Sequence, residues 1–276
     1  MKIAISNIAW SPINRIKIYS FLKKNDIKNI EIAPKLFLYN QKNYLRPNKK
    51  LLLTKFKELK KFKLKIVSMQ SLFYESKNCE LFTSIQKRQN FYNQFKRIIK
   101  LAGILKIPNL VFGSPKNRII PNNVSKIKAE KIAIKIFKKL GDYAYKNNTK
   151  ISIESNPEIY GTNFLNNIYE TCDFVKKVNH KSIRIVLDTG ELLVNKNFKD
   201  IKKIIQLTRK YIYHVHISQP SLKPINNNKM IISVLKELKK VNYTRCVSIE
   251  MKNPGDAKTN LIIKSLNNII RYRRLI

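Results

Sequence analysis

Short apolar, β-branched runs alternate along the whole chain with longer stretches in which apolar residues recur about every 3.6 positions. The strands this predicts are Lys2 to Ser6, Asn29 to Ala33, Leu64 to Ser68, Asn109 to Phe112, Lys150 to Glu154, Ile183 to Asp188, Tyr211 to Ile217 and Arg245 to Glu250. Most are continuous apolar runs, as strands covered on both faces must be. Between them lie amphipathic helices. Arg88 to Lys106 carries Phe91, Phe95, Ile98, Ile99 and Ala102 on one face, and Val124 to Lys146 carries Ala129, Ile132, Ala133, Ile136, Phe137 and Leu140. Strand followed by helix throughout is the signature of a parallel sheet with helical crossovers, and eight such units in 276 residues predict a single (β/α)8 TIM barrel spanning residues 1–276.

Two connections exceed what a barrel requires: Pro34 to Lys50 after the second strand and Ser71 to Gln86 after the third. Both follow the C-terminal ends of strands, where barrels of this kind build their sites, so both are expected to cover a substrate. No Gly/Ser-rich or Pro-rich linker divides the chain, and no repeat is visible beyond the strand–helix alternation.

Charge changes this picture less than its size suggests. Lys+Arg number 56 against 17 Asp+Glu, a net charge of +39, but the excess is spread along the chain and accompanies abundant Ile and Asn and few glycines. That pattern reads as compositional drift with lysines on solvated helix faces, so a nucleic-acid partner is not expected. The odd, scattered cysteines Cys79, Cys172 and Cys246 form no CxxC pair and read as reduced, buried thiols. The opening MKIAIS reaches Trp10, Ser11 and Pro12 without a signal-peptide apolar core, and no run of about 18 apolar residues would span a bilayer. A cytoplasmic protein with no membrane contact is expected.

The chemistry concentrates at strand ends. Glu154 in ISIES, Asp188 in IVLDTG, His216 in HVHIS and Glu250 in VSIEM follow one another at 34, 28 and 34 residues, close to one strand–helix unit each. Parallel strands of a closed barrel present their C-terminal ends on one face, so these four converge. Three carboxylates in an apolar mouth repel and suffer desolvation unless a cation lies among them. The donor set suits Mn²⁺ first, with Mg²⁺, Co²⁺ or Zn²⁺ as alternatives. A lone acid at a strand end would more simply cap the next helix; four at this pitch point to a metal. His214 shares a strand face with His216 and is read as an inner-barrel or supporting group, while His180 is assigned to the surface.

Taken in order, IEIAP around Glu31, ISIESNP around Glu154, LDTG around Asp188, HVHIS around His216 and VSIEM around Glu250 resemble the sugar phosphate isomerase/epimerase family with the xylose-isomerase-like barrel, over essentially the whole chain. The resemblance implies the same four ligands, Glu154, Asp188, His216 and Glu250, with Glu154 and Glu250 also acting as the acid/base pair. It implies a metal-dependent isomerase or epimerase that works through an enediolate on a small sugar or anionic sugar derivative. Two departures stand out. Glu191 follows Gly190 where many relatives have histidine, and Gln219, Pro220, Ser221 and Lys223 follow His216 where some place an arginine.

Candidate substrate contacts are Glu31, Gln70, Ser114, Lys116, Arg118, Asn156, Glu191, His214 and Lys223, with Ser114, Lys116 and Arg118 forming an anion clamp after the fourth strand. Two other classes stay open: a DNA-repair nuclease like endonuclease IV, and a barrel that only binds. The nuclease would require a histidine-rich trinuclear zinc cluster, and this chain has His 3. A monomer or homodimer is expected.

Overall fold

In the computed structural model, which describes residues 1–39, 41, 43–226 and 228–274, the alternation resolves into eight parallel strands closed in sequence order, β1 to β8. They are β1 (Lys2–Ser6), β2 (Asn29–Ile32), β3 (Lys65–Met69), β4 (Asn109–Phe112), β5 (Lys150–Ile153), β6 (Ile183–Asp188), β7 (Ile212–Ser218) and β8 (Cys246–Glu250). The first, fourth and sixth coincide with the predicted runs, and the others shift by one residue at one or both ends. Helices α1 (Arg15–Lys24), α2 (Pro34–Phe37), α3 (Lys49–Lys61), α4 (Ile85–Ile104), α5 (Lys126–Lys146), α6 (Ile168–Val178), α7 (Thr189–Val194), α8 (Ile201–Thr208), α9 (Asn228–Lys240) and α10 (Thr259–Arg274) lie between and after them.

Helix starts are set by side chains that satisfy otherwise orphaned amide groups. Ser84 Oγ accepts from Lys87 N at 3.2 Å, so α4 begins three residues before the apolar periodicity announces it. Ser125 does the same for α5 through Lys128 N at 3.3 Å, and Asn167 caps α6 through Tyr169 N and Glu170 N.

The chain forms two compact units. One comprises Met1–Ser68, Asp188–Lys210 and His214–Ile276; the other comprises Met69–Leu187 and Tyr211–Tyr213. In the first, β1 pairs with β2 through Ala4↔Asn29, Ile5↔Ile30 and Ser6↔Glu31, and with β8 through Ala4↔Ser248 and Ile5↔Ile249. There β7 pairs with β8 through His216↔Ser248 and Ser218↔Glu250. All five residues of β8 are buried, as the uninterrupted apolar pattern requires.

The second unit is organised by phenylalanine. Phe112 of β4 lies 5.4 Å from Phe95 on α4 and 5.4 Å from Phe137 on α5, and Phe137 meets Phe174 of α6 edge-on at 5.6 Å. These offset and T-shaped pairs add to the area that the rings bury. The long connection after β3 is drawn down onto this unit. Phe82 sits edge-on to Phe164 at 5.0 Å, Leu81 N donates to Asn117 O at 2.9 Å, and Asn117 Nδ2 donates to Cys79 O at 2.7 Å. The other long connection, after β2, contains α2 and runs into α3; Asn40 and Lys42 within it fall outside the described residues.

Candidate metal centre

β6 and β8 end in Asp188 and Glu250, and β7 carries His216 two residues before its end; within the first unit these three side chains meet. His216 is fully buried, with Nδ1 3.2 Å from Glu250 Oε2 and 3.8 Å from Asp188 Oδ2. On the far side of the ring, His216 Nε2 lies 3.0 Å from Glu31 Oε2, which also accepts from Ser248 Oγ at 2.9 Å. An ionised carboxylate only accepts, so Nε2 carries the proton that joins it to Glu31. Nδ1 is then directed at two carboxylates. Acceptor facing acceptor at 3.2 Å is unfavourable unless a proton or a cation stands between them. That conflict is the structural sign that the donor set fits a cation.

Asp188 is held by its own loop. Its Oδ1 accepts from Glu191 N at 2.6 Å, capping α7, and Ser218 Oγ lies 2.9 Å from both of its oxygens. Ser218 Oγ in turn accepts from Gly190 N at 2.8 Å. A Cβ on Gly190 would come to 2.5 Å from Ser218 Oγ, so the glycine of LDTG is required by close approach. Ser218 and Ser248 were not assigned roles from sequence, although each stands two residues from a predicted ligand on the same strand face, which period-2 geometry makes a neighbour.

Glu31, expected as a substrate contact, is fully buried beside His216. Its Oε1 lies 3.2 Å from His214 Nε2, an approach without hydrogen-bond alignment, and the two imidazoles stand edge to face at 5.1 Å. Burial alone would raise the Glu31 carboxyl, but the His216 and His214 rings outweigh it and hold the group well below the usual carboxylate range. His214 is buried here too. Glu191 is likewise buried, its Oε1 accepting from Asn195 Nδ2 at 2.6 Å, while Lys223 is exposed beyond the Pro220–Leu222 turn.

In the second unit Glu154 follows β5, its amide tied to Phe112 O at 3.0 Å. Arg118, predicted to clamp an anion at the mouth, is instead fully buried. Its Nη1 donates to the Glu154 carbonyl at 2.9 Å, and its guanidinium lies 5.9 Å from the Phe112 ring centre. Its Nε and Nη2 have no hydrogen-bond partner among the described residues, and burial pulls its pKa down to about 10 against the opposing pull of Glu154 and Glu170. Of the other two expected clamp residues, Ser114 takes a left-handed conformation, φ 42°, at the start of the turn, and Lys116 points to solvent. Asn156, after β5, is half-buried, and Gln70, directly after β3, is buried.

His180 is not the plain surface residue its loop suggests. Its side chain is 16% exposed, its Nδ1 accepts from Ser182 N at 3.0 Å, and Nε2 lies 3.2 Å from Asp142 Oδ1. The ring fills the space above Gly141 on α5.

The three cysteines are buried free thiols, as expected, and no described helix is long and apolar enough to cross a membrane. No curated protein matches the chain in sequence. Among solved structures, it superposes on apo 3-keto-D-glucoside 4-epimerase YcjR from E. coli with a TM-score of 0.75 and 17% identity, covering 98% of each chain. D-psicose 3-epimerase solved in the presence of D-fructose gives 0.76 and 17%, over 100% of this chain and 98% of that one. D-psicose 3-epimerase from Clostridium cellulolyticum H10 with D-tagatose gives 0.75 and 13%, over 100% and 98%. A sequence profile described as the xylose isomerase-like TIM barrel matches residues 24–271. With strand order, barrel closure and this match in agreement, the chain belongs to the xylose isomerase-like TIM barrel family.

Proposed function

We propose that this chain is a divalent-metal-dependent isomerase or epimerase acting on a small sugar or an anionic sugar derivative. One observation carries the reading: in the first unit His216 Nδ1 faces Glu250 Oε2 at 3.2 Å and Asp188 Oδ2 at 3.8 Å, an acceptor set against acceptors, and Glu154 is the fourth ligand that the family resemblance implies. Three carboxylates and an imidazole nitrogen facing an acceptor are a donor set for one hard or borderline cation, Mn²⁺ first, with Mg²⁺, Co²⁺ or Zn²⁺ as alternatives. The structural neighbours bound to or named for small sugars support the substrate class. The same reading treats residues 1–276 as one domain, in the cytoplasm, as a monomer or homodimer.

When bound, the metal would acidify the C–H between a carbonyl and its neighbouring hydroxyl and stabilise the resulting enediolate. The chain's own part is proton handling. Glu154 and Glu250 form the acid/base pair: one takes the proton from one face of the carbon and the other returns one to the opposite face. Asp188, held between Ser218 and the start of α7, and His216, held by Glu31, supply fixed ligands that do not exchange protons with substrate. Return to the same carbon inverts it; return to the former carbonyl carbon isomerises.

A nuclease of the endonuclease IV kind is disfavoured by the histidines, since His180 is turned onto Asp142 and only His214 and His216 stand on the barrel strands. The test is solvent deuterium incorporation into free and phosphorylated ketoses, with elemental analysis of the purified protein. About one Mn, Mg, Co or Zn per chain, with exchange that falls by about 10²–10⁴ in Glu154→Gln and Glu250→Gln, is expected. Three zincs with cleavage at abasic DNA, or full exchange without metal, overturns the reading.

A further inference from the structure

We propose that Glu31 is a positioning residue that fixes the tautomer of His216, so that Nδ1 and not Nε2 is the nitrogen offered to a cation beside Asp188 and Glu250. The inference rests on the cation reading above and deepens it.

The geometry allows little else. The Glu31 carboxylate has no exposed surface, so its lone pairs must be met from inside the protein. Oε2 meets two donors, His216 Nε2 at 3.0 Å and Ser248 Oγ at 2.9 Å, and Oε1 faces His214 Nε2 at 3.2 Å. Moving the His216 proton to Nδ1 would set an imidazole lone pair against a buried carboxylate 3.0 Å away, with no solvent to relieve it. The Nε2–H form is therefore enforced from below, and the ring is turned so that Nδ1 lies 3.2 Å from Glu250 Oε2 and 3.8 Å from Asp188 Oδ2. A carboxylate behind a ligating imidazole also raises its basicity and fixes its orientation, and losing such a partner typically weakens metal binding by about 10–100-fold.

The same geometry gives His214 a role. It faces the second Glu31 oxygen and stands edge-on to His216 at 86°, so it braces the carboxylate and does not compete for the cation. Glu31, His214 and His216 also lie close enough to hold an ion by themselves. A proton on His216 Nε2 already occupies that approach, and Ser248 donates to the same oxygen, so the cluster is read as a support.

The experiment uses the full chain. Mn²⁺ is titrated calorimetrically into wild type, Glu31→Gln and Glu31→Leu, and ¹⁵N-histidine spectra are recorded for the metal-free and Zn²⁺-loaded wild type, where three histidines make assignment simple. The expected result is a Kd for Mn²⁺ raised about 10–100-fold in both variants, with His216 protonated at Nε2 and bound through Nδ1 in the loaded wild type. Binding within about threefold of wild type in both variants overturns the proposal, as does ligation through Nε2. If the wild type takes up no Mn²⁺, the cation reading falls, and Glu31 is judged on the metal-free spectrum alone: Nε2 protonated supports its role, and Nε2 unprotonated overturns it.

Discussion

Gly141 sits in the interior of α5, where an alanine should normally stabilise a helix by about 1 kcal/mol. Here the opposite is expected. A Cβ built at this position falls 2.5 Å from Nδ1, 2.7 Å from Cγ and 2.9 Å from Cε1 of His180, so the obstacle is the body of the ring and not a flexible tip. Either the ring stays and α5 is overpacked, at about 1–3 kcal/mol, or it leaves and Ser182 N loses its acceptor, at about 1 kcal/mol, along with the contact to Asp142. Each route outweighs or cancels the helix gain, and Gly141→Ala should fail to stabilise and lose up to about 2 kcal/mol net. His180→Ala removes the obstacle. In that background Gly141→Ala should therefore stabilise by about 1 kcal/mol, reversing the sign of the same substitution. Urea unfolding of the four proteins, compared by midpoint at constant m, reads the cycle directly. A Gly141→Ala protein more stable than wild type by about the full 1 kcal/mol of the helix gain, or a double variant no more stable than His180→Ala, would refute the reasoning.

Two further outcomes follow from single residues. A Cβ on Gly113 would lie 2.5 Å from Glu154 Oε2 and 3.3 Å from Asn156 Oδ1, so Gly113→Ala should displace the Glu154 carboxylate; deuterium exchange into substrate should drop about 10²-fold while the thermal midpoint hardly moves, and unchanged exchange would count against Glu154 as an acid/base group. Burial raises the Cys246 thiol to about 11 from the ordinary 9.0, with Lys2 opposing and Glu31 adding. The folded state then keeps a proton that the unfolded chain releases, so the contribution is whole below pH 9 and is lost as pH rises toward 11, about 2–3 kcal/mol in all. Stability curves of wild type and Cys246→Ala should converge across that window, and parallel curves would contradict it.

Why some of this was legible in the sequence, and some not, follows from barrel geometry. Strands covered on both faces must be apolar throughout, which is why β1, β4 and β6 could be bounded to the residue, and why Glu154, Asp188, His216 and Glu250 stood out where those runs end. Depth along the barrel is a different matter. On the hydrogen-bonded rungs, Ser218 is level with Glu250, yet it is His216, two residues earlier, whose ring meets the Glu250 carboxylate. Strands in a closed barrel tilt by about 36°, so a rung climbs or sinks as it passes from strand to strand. Glu31, on the rung of Ser6, is buried with its carboxylate against His216 Nε2 for the same reason. A one-dimensional pattern of apolar and polar positions carries no measure of that tilt. Arg118 was misplaced differently: charge predicts exposure, but Phe112 and the Glu154 carbonyl offered its guanidinium a place inside.

All three histidines are spent on internal contacts: His214 and His216 around Glu31, and His180 over Gly141. With a net charge of +39 and His 3, crossing the whole imidazole range can alter the molecule's charge by three at most. Acidity near neutrality is thus a feeble control over how the protein meets its surroundings. Dissolved salt is a strong one, because the screening length shrinks from about 30 Å at 0.01 M to about 8 Å at 0.15 M. Mutual repulsion, adhesion to polyanions and capture of anionic metabolites should all follow ionic strength, and buffers of equal pH but unequal salt would present the cell, or the chromatographer, with what behave as different proteins.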